Sequence, residues 1–134
     1  MLTLLITAVL ANFSASSAKE HDYTQAYQES QLQGKPLMVI VGAQWCPACH
    51  TLKDTTIKQL QASGQLDDVC VAVVDRDAQP QLANQLMRGQ MIPQIIVFAK
   101  GNSGRWERSQ LTGFQSPGPV RQLILSAMSA IRRS

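Results

Sequence analysis

Apolar positions along this chain follow two periods. Pro36–Ala43 (PLMVIVGA) and Val69–Val74 (VCVAVV) are continuous apolar runs, and Gln94–Ala99 (QIIVFA) is nearly so. Short runs rich in β-branched residues read as strands buried on both faces. Elsewhere the spacing is helical. Val120, Leu123, Ile124, Ala127, Met128 and Ile131 mark one helix face. That helix starts near Ser116 and Pro119, and Arg132 and Arg133 complement its C-terminal dipole. Asp22 is placed to cap a helix carrying Tyr23, Ala26 and Tyr27 and ending near Gly34. A further helix opens at Cys46 and Cys49 and runs to about Ala62, with Gly64 as its stop. Pro80 suits the first turn of a short helix bearing Leu82, Ala83, Leu86 and Met87. The Gly101–Gly104 segment is a hairpin turn into a last strand, about Arg105 to Thr112.

The predicted order is α-β-α-β-α-β-β-α. Strands alternating with helices imply parallel β-α-β units with right-handed crossovers, and the hairpin adds an antiparallel edge. The expected α/β fold is a four-stranded mixed sheet flanked by helices on both faces.

Composition narrows the choice of function. The chain has 134 residues, 45% hydrophobic and 16% charged, with a net charge of +3. This is one domain with enough apolar material for a core. No run of Lys or Arg exceeds two, so no nucleic-acid platform is expected. Three cysteines are too few for a disulfide scaffold.

Met1–Ala18 contains no charged side chain. An apolar stretch, Leu2 to Ala11, precedes small residues from Ser14 to Ala18, with Ser16 and Ala18 at the −3 and −1 positions. This reads as a signal peptide, although a basic first segment is missing. Residues 19–134 then form the exported domain, in the periplasm or another extracytoplasmic space. An uncleaved leader would tether it to a membrane.

Most of the chemistry sits in Trp45-Cys46-Pro47-Ala48-Cys49-His50, which follows a buried strand and opens a helix. Unpaired N–H groups at a helix N-terminus stabilise a thiolate, so Cys46 is the expected nucleophile. Cys49 lies one turn on, on the same side but deeper. Closing so small a ring gains little chain entropy, so redox exchange explains the pair better than stability does. The same residues admit other readings. Cys46-x-x-Cys49-His50 fits the attachment signature of c-type haem, with Met87 or Met91 available as a second axial ligand. The three strands count against it, and so does the place of the cysteines just after a buried strand, where a haem has no pocket. Cys46, Cys49 and His50 also form a candidate Cu or Zn set, without a fourth ligand at metal-site spacing. A binding module with no redox role is the remaining alternative.

Trp45-Cys46-x-x-Cys49 after an apolar strand resembles the thioredoxin superfamily. Met91-Ile92-Pro93-Gln94 resembles that family's cis-proline segment, and Gly113 its glycine after the last strand. The resemblance spans roughly Asp22 to Ile131. It implies a thioredoxin-like fold and a thiol–disulfide oxidoreductase. Cys46 would attack a substrate disulfide and Cys49 would resolve the mixed disulfide. Trp45, Ile92 and Pro93 would bind the substrate, Ile92 through its backbone and Pro93 after a cis bond. There are departures. The buried acid usual six residues before the first cysteine is Ile40 here, and its lysine partner aligns with Val71. The intervening dipeptide is Pro-Ala. Ile92 before the proline leans slightly toward a reductant.

No organic cofactor is expected, because the electrons reside in the cysteine pair. The expected partners are protein thiol or disulfide substrates and a membrane redox protein that recharges the pair, and the chain should act as a monomer. His50 is expected to sit partly solvated on the helix face, and Cys70 to be an inert buried thiol. Asp75 and Asp77 read as strand-end and helix-start residues.

Overall fold

The computed structural model describes residues 22–133. The expected signal peptide, Met1–Ala18, lies outside the described residues. Helix α1 (Tyr23–Gln33) begins where Asp22 Oδ1 accepts the Gln25 N–H at 2.8 Å and ends at Gly34, as its capping residues predict. Strand β1 (Leu37–Gly42) follows. The chain then forms one continuous right-handed rod of three parts, α2 (Pro47–Thr51), a π-helical turn (Leu52–Ile57) and α3 (Lys58–Ala62). Strand β2 is Cys70–Asp75, α4 is Pro80–Leu86, β3 is Gln94–Lys100, β4 is Trp106–Thr112 and α5 is Pro117–Arg133.

The sheet order is β2-β1-β3-β4. Strand β1 pairs parallel with β2 and antiparallel with β3, and β3 pairs antiparallel with β4. Only the first crossover is therefore a parallel β-α-β unit, where the alternating elements suggested two. Path length explains the difference. Strand β2 ends at Asp75, opposite Gly42, and β3 starts at Gln94, opposite Val41, so both points lie at the same end of the strands, the C-terminal end of β1. The seven residues of α4 span only about 10 Å. That is too short to carry the chain back along a strand for a parallel return.

Strand β1 is apolar throughout because both its faces are covered. Met38 and Ile40 join Leu52, Ile57, Leu60, Val120 and Ile124 beneath the helical rod and α5. Leu37, Val39 and Val41 join Ala26, Ala72, Ala83 and Leu86 beneath α1 and α4. Strand β4 is an edge and mostly less buried. Its Trp106 ring stacks on Tyr27 of α1, with centroids 6.3 Å apart. Among the described residues, no helix is long and apolar enough to cross a membrane.

Candidate active site

The site lies where the C-terminal ends of β1 and β2 meet the start of α2. Gly42 closes β1, and a turn in which the Cys46 N–H donates to the Ala43 carbonyl leads into the helix. Cys46 is the N-cap of α2, in an extended conformation, and Pro47 occupies the first turn. Proline fits there because its missing N–H would have had no helical partner. The Cys46 Sγ accepts the backbone N–H of Cys49 at 3.2 Å. An N-cap normally uses a side-chain oxygen for this bond. Here the sulfur takes that place, so the donor that satisfies the helix end also points at the sulfur whose anion it would stabilise.

Cys46 and Cys49 are joined as a disulfide, with their Cα atoms 5.3 Å apart. Both are almost wholly buried, at 5% and 4% exposure. The expected difference in depth is therefore absent. Ala43 and Ile92 pack into one cluster with both cysteines and cover Cys46 as well as Cys49. On the strand side the backbone comes very close. A Cβ on Gly42 would stand 3.0 Å from the Cys49 Sγ, so glycine here makes room for the sulfur.

The second segment singled out in the sequence lies beside the first. The Ile92–Pro93 peptide is cis. Ile92 packs against the cysteine cluster, and Pro93 is buried. The Pro93 carbonyl accepts the Gly113 N–H at 2.8 Å. Gly113 has φ +86°, a conformation that side chains beyond Cα disfavour. The loop before Ile92 is held from inside by Gln94, which is fully buried. Its Nε2 donates to the carbonyls of Arg88 and Met91 at 2.9 and 3.0 Å, and its Oε1 accepts the Arg88 N–H at 3.2 Å. The sequence presents Gln94 as a strand's first residue and the end of the proline segment, with no sign of these bonds.

Three large apolar side chains are exposed on the segments that carry the site. Trp45 and Met91 are each 64% exposed and Phe114 is 48% exposed. The Trp45 indole N–H donates to Asp77 Oδ2 at 2.7 Å. Asp77 follows β2, and its own N–H is bound by Asp75 Oδ1 at 2.8 Å. Both aspartates thus have roles beyond marking the end of a strand and the start of a helix. Phe114 sits between two anchors, the Gly113 N–H bond to Pro93 and a 2.6 Å bond from the Thr56 hydroxyl to the Gln115 carbonyl.

His50 is exposed, and its Nε2 lies within hydrogen-bond distance of the Gln44 carbonyl. Ile40 is buried, and the parallel register sets Val73, not Val71, opposite it. Val71 lies opposite Met38. No charged residue is paired with Ile40 across the ladder. Cys70 is a free, buried thiol on the other face of the sheet, where it joins the α1 and α4 cluster. Among the described residues, no three or more His, Cys, Asp or Glu side chains gather as a metal would require. The haem reading also fails on geometry. The two cysteines are bonded to each other at the end of a sheet strand, with the Cys49 sulfur against Gly42, in a fold built on a four-stranded sheet and not on a helical haem domain.

A family profile described as thioredoxin-like matches residues 18–100, more than half of the chain. No curated protein matches the sequence. The fold is similar to that of several thioredoxins of known structure. One from Thermus thermophilus is 21% identical, with a TM-score of 0.73, covering 86% of this chain and 90% of its own. Chloroplastic thioredoxin z is 22% identical, with a TM-score of 0.64, covering 83% of this chain and 94% of its own. A thioredoxin from Trypanosoma brucei brucei is 20% identical, with a TM-score of 0.63, covering 87% and 96%. A cysteine pair at the head of a helix, bonded and within this fold, supports thiol–disulfide oxidoreductase activity. The family match covers the strand before the cysteines, the cysteines themselves and the Ile92–Pro93 segment, and the chain belongs to the thioredoxin-like family.

Proposed function

We propose that this protein exchanges thiols and disulfides with protein substrates, with Cys46 as the nucleophile and Cys49 as the resolving thiol. The observation that carries this reading is the place of Cys46 at the head of α2, its sulfur bonded to Cys49 and receiving the Cys49 N–H. In the reduced form, Cys46 attacks a substrate disulfide and one substrate sulfur leaves as a thiolate. Cys49 then attacks Cys46, the substrate's second sulfur departs, and the enzyme disulfide forms again. The substrate disulfide has gained two electrons and the cysteine pair has lost them.

The docking surface in this reading is Trp45, the Ile92 backbone and Pro93. An extended substrate segment lies along the loop before β3 and pairs with its main chain. The exposed apolar side chains of Trp45, Met91 and Phe114 favour polypeptide substrates over small thiols. The protein works outside the cytoplasm after removal of Met1–Ala18, as a monomer. A membrane redox protein recharges it. The direction of electron flow leans to reduction.

The deciding experiment is the midpoint potential of the Cys46–Cys49 pair, measured by alkylation after equilibration in graded thiol–disulfide buffers. A value of about −270 mV marks a reductant, and one of about −120 mV an oxidant that introduces disulfides. A pair that does not titrate sinks the exchange reading.

A further inference from the structure

We propose that His50 accepts the proton of Cys49 when the mixed disulfide is resolved, through a small pocket behind the cysteine. This rests on the exchange mechanism proposed above. Resolution needs Cys49 as a thiolate, because the thiol is not the nucleophile. Cys49 is 4% exposed, and burial makes its anion costly. A buried proton acceptor on β1 is absent, since Ile40 stands there with Val73 opposite it. The proton must leave by another path.

A cavity of about 90 Å³ opens directly beside Cys49. Ile40 and Val73 form its apolar side, and His50, Lys53 and Asp75 are its titratable lining besides Cys49. One water needs only about 10–15 Å³ of such space, so the cavity accommodates a short water relay. Among these groups His50 is the imidazole, the side chain that in its neutral form offers one ring nitrogen to accept a proton and the other to donate one. Asp75 is already engaged, its Oδ1 accepting the N–H groups of Asp77 and Ala78. Lys53 brings an ammonium group, which only donates, so its part beside the cysteine is to stabilise the anion.

The ring's tautomer fits this role. His50 Nε2 faces the Gln44 carbonyl, and a carbonyl oxygen only accepts. Nε2 therefore carries hydrogen, which leaves Nδ1 as the basic nitrogen of the neutral ring. The Cys49 proton passes by water to Nδ1. The Cys49 thiolate then attacks Cys46 Sγ, the bond from Cys46 to the substrate sulfur breaks, and the electron pair leaves on that sulfur. The imidazolium returns its proton to the departing thiolate or to solvent. No external oxidant or reductant enters the step.

The test is stopped-flow reaction of the reduced protein with a chromogenic aromatic disulfide across pH 5–9. The first thiolate released reports attack by Cys46, and the second reports resolution by Cys49. In the wild type, the second rate should rise with pH through an inflection that is lost or moved when His50 is replaced. His50→Gln keeps a donor for the Gln44 carbonyl but does not titrate in this range. It should lower the second rate about 10²-fold at neutral pH, the low end for loss of a general base. It should also move the inflection up toward the thiol's own value and leave the first rate unchanged. His50→Asn, at the same exposed position, should do the same. An unchanged second rate and inflection in both variants overturns the proposal. So does an inflection that disappears in Lys53→Met while surviving in His50→Gln. If the wild type releases no first thiolate, the exchange reading itself has failed and this inference falls with it.

Discussion

The indole N–H of Trp45 donates to Asp77 Oδ2 at 2.7 Å, joining the residue before the first cysteine to the turn after β2. Trp45 is 64% exposed, so packing alone does not hold its ring. Asp77 is itself held, because Asp75 Oδ1 binds its N–H. Asp77→Ala should therefore free the ring and leave the fold intact. On the docking surface proposed above, the expected result is a several-fold rise in KM for a protein disulfide. This matches the roughly 0.5–1.5 kcal/mol of one ordinary hydrogen bond. Turnover of a small aromatic disulfide should change little, and Trp fluorescence should become more solvent-quenched. Equal loss on both substrates would mean that the contact acts on the cysteines and not on docking.

Gly42→Ala tests the close approach of β1 to Cys49. The added carbon would stand 3.0 Å from the sulfur and 3.2 Å from its Cβ, and both neighbours lie in a packed cluster. Overpacking of this kind costs about 1–3 kcal/mol. Thermal melts of the oxidised protein should show Tm lower by about 3–12 °C. The same change at Gly34 would meet no neighbouring atom and would act through backbone strain alone.

Part of this architecture is legible in the sequence because it depends on local pattern. The β1 run reads as a doubly covered strand, and the structure buries Leu37, Val39 and Val41 on one face and Met38 and Ile40 on the other. Asp22 and Gly34 announce the ends of α1 through capping chemistry that acts within a few residues. What the sequence hides depends on distant geometry. The antiparallel run of β3 follows from the short path through α4, which no periodicity encodes. The π turn arises where the Lys58 N–H reaches the Lys53 carbonyl, an extra residue wound into a helix whose apolar spacing still reads as regular. Gln94 and Asp77 serve the site through bonds to segments that their own neighbours do not identify. At Gly42, a missing side chain is informative only once the opposing sulfur is placed.

The two cysteines should give opposite results when changed singly. Cys46→Ser removes the nucleophile at the helix head, and exchange with a protein disulfide should fall to background. Cys49→Ser leaves Cys46 able to attack but unable to be displaced, so a mixed disulfide with the substrate should accumulate. Non-reducing gels followed by mass spectrometry of the adduct check both outcomes. An adduct formed through Cys49 in the Cys46→Ser protein would reverse the assigned roles.

Cys70 provides a stability effect separable from redox chemistry. Burial pushes its thiol above the ordinary value of 9.0, Glu29 pushes it further, and Lys35 opposes them. The folded protein therefore holds this proton more tightly than the unfolded chain does. Its contribution is complete below about pH 9 and is lost as pH rises through the higher folded value. Tyr23 shifts in the same direction from 10.0, through burial and then Tyr27, so its effect begins at higher pH. Cys70→Ala should lower stability at pH 7 by about 1 kcal/mol through lost packing. Between pH 8 and pH 10, however, its Tm should fall less steeply than that of the wild type. Exchange activity should be unchanged, because Cys70 lies on the sheet face opposite the helical rod that carries Cys46 and Cys49. Parallel slopes for the two proteins over that range would show that the thiol stays protonated or that its burial carries no linkage. Rapid alkylation of Cys70 in the native protein at pH 7 would contradict the burial itself.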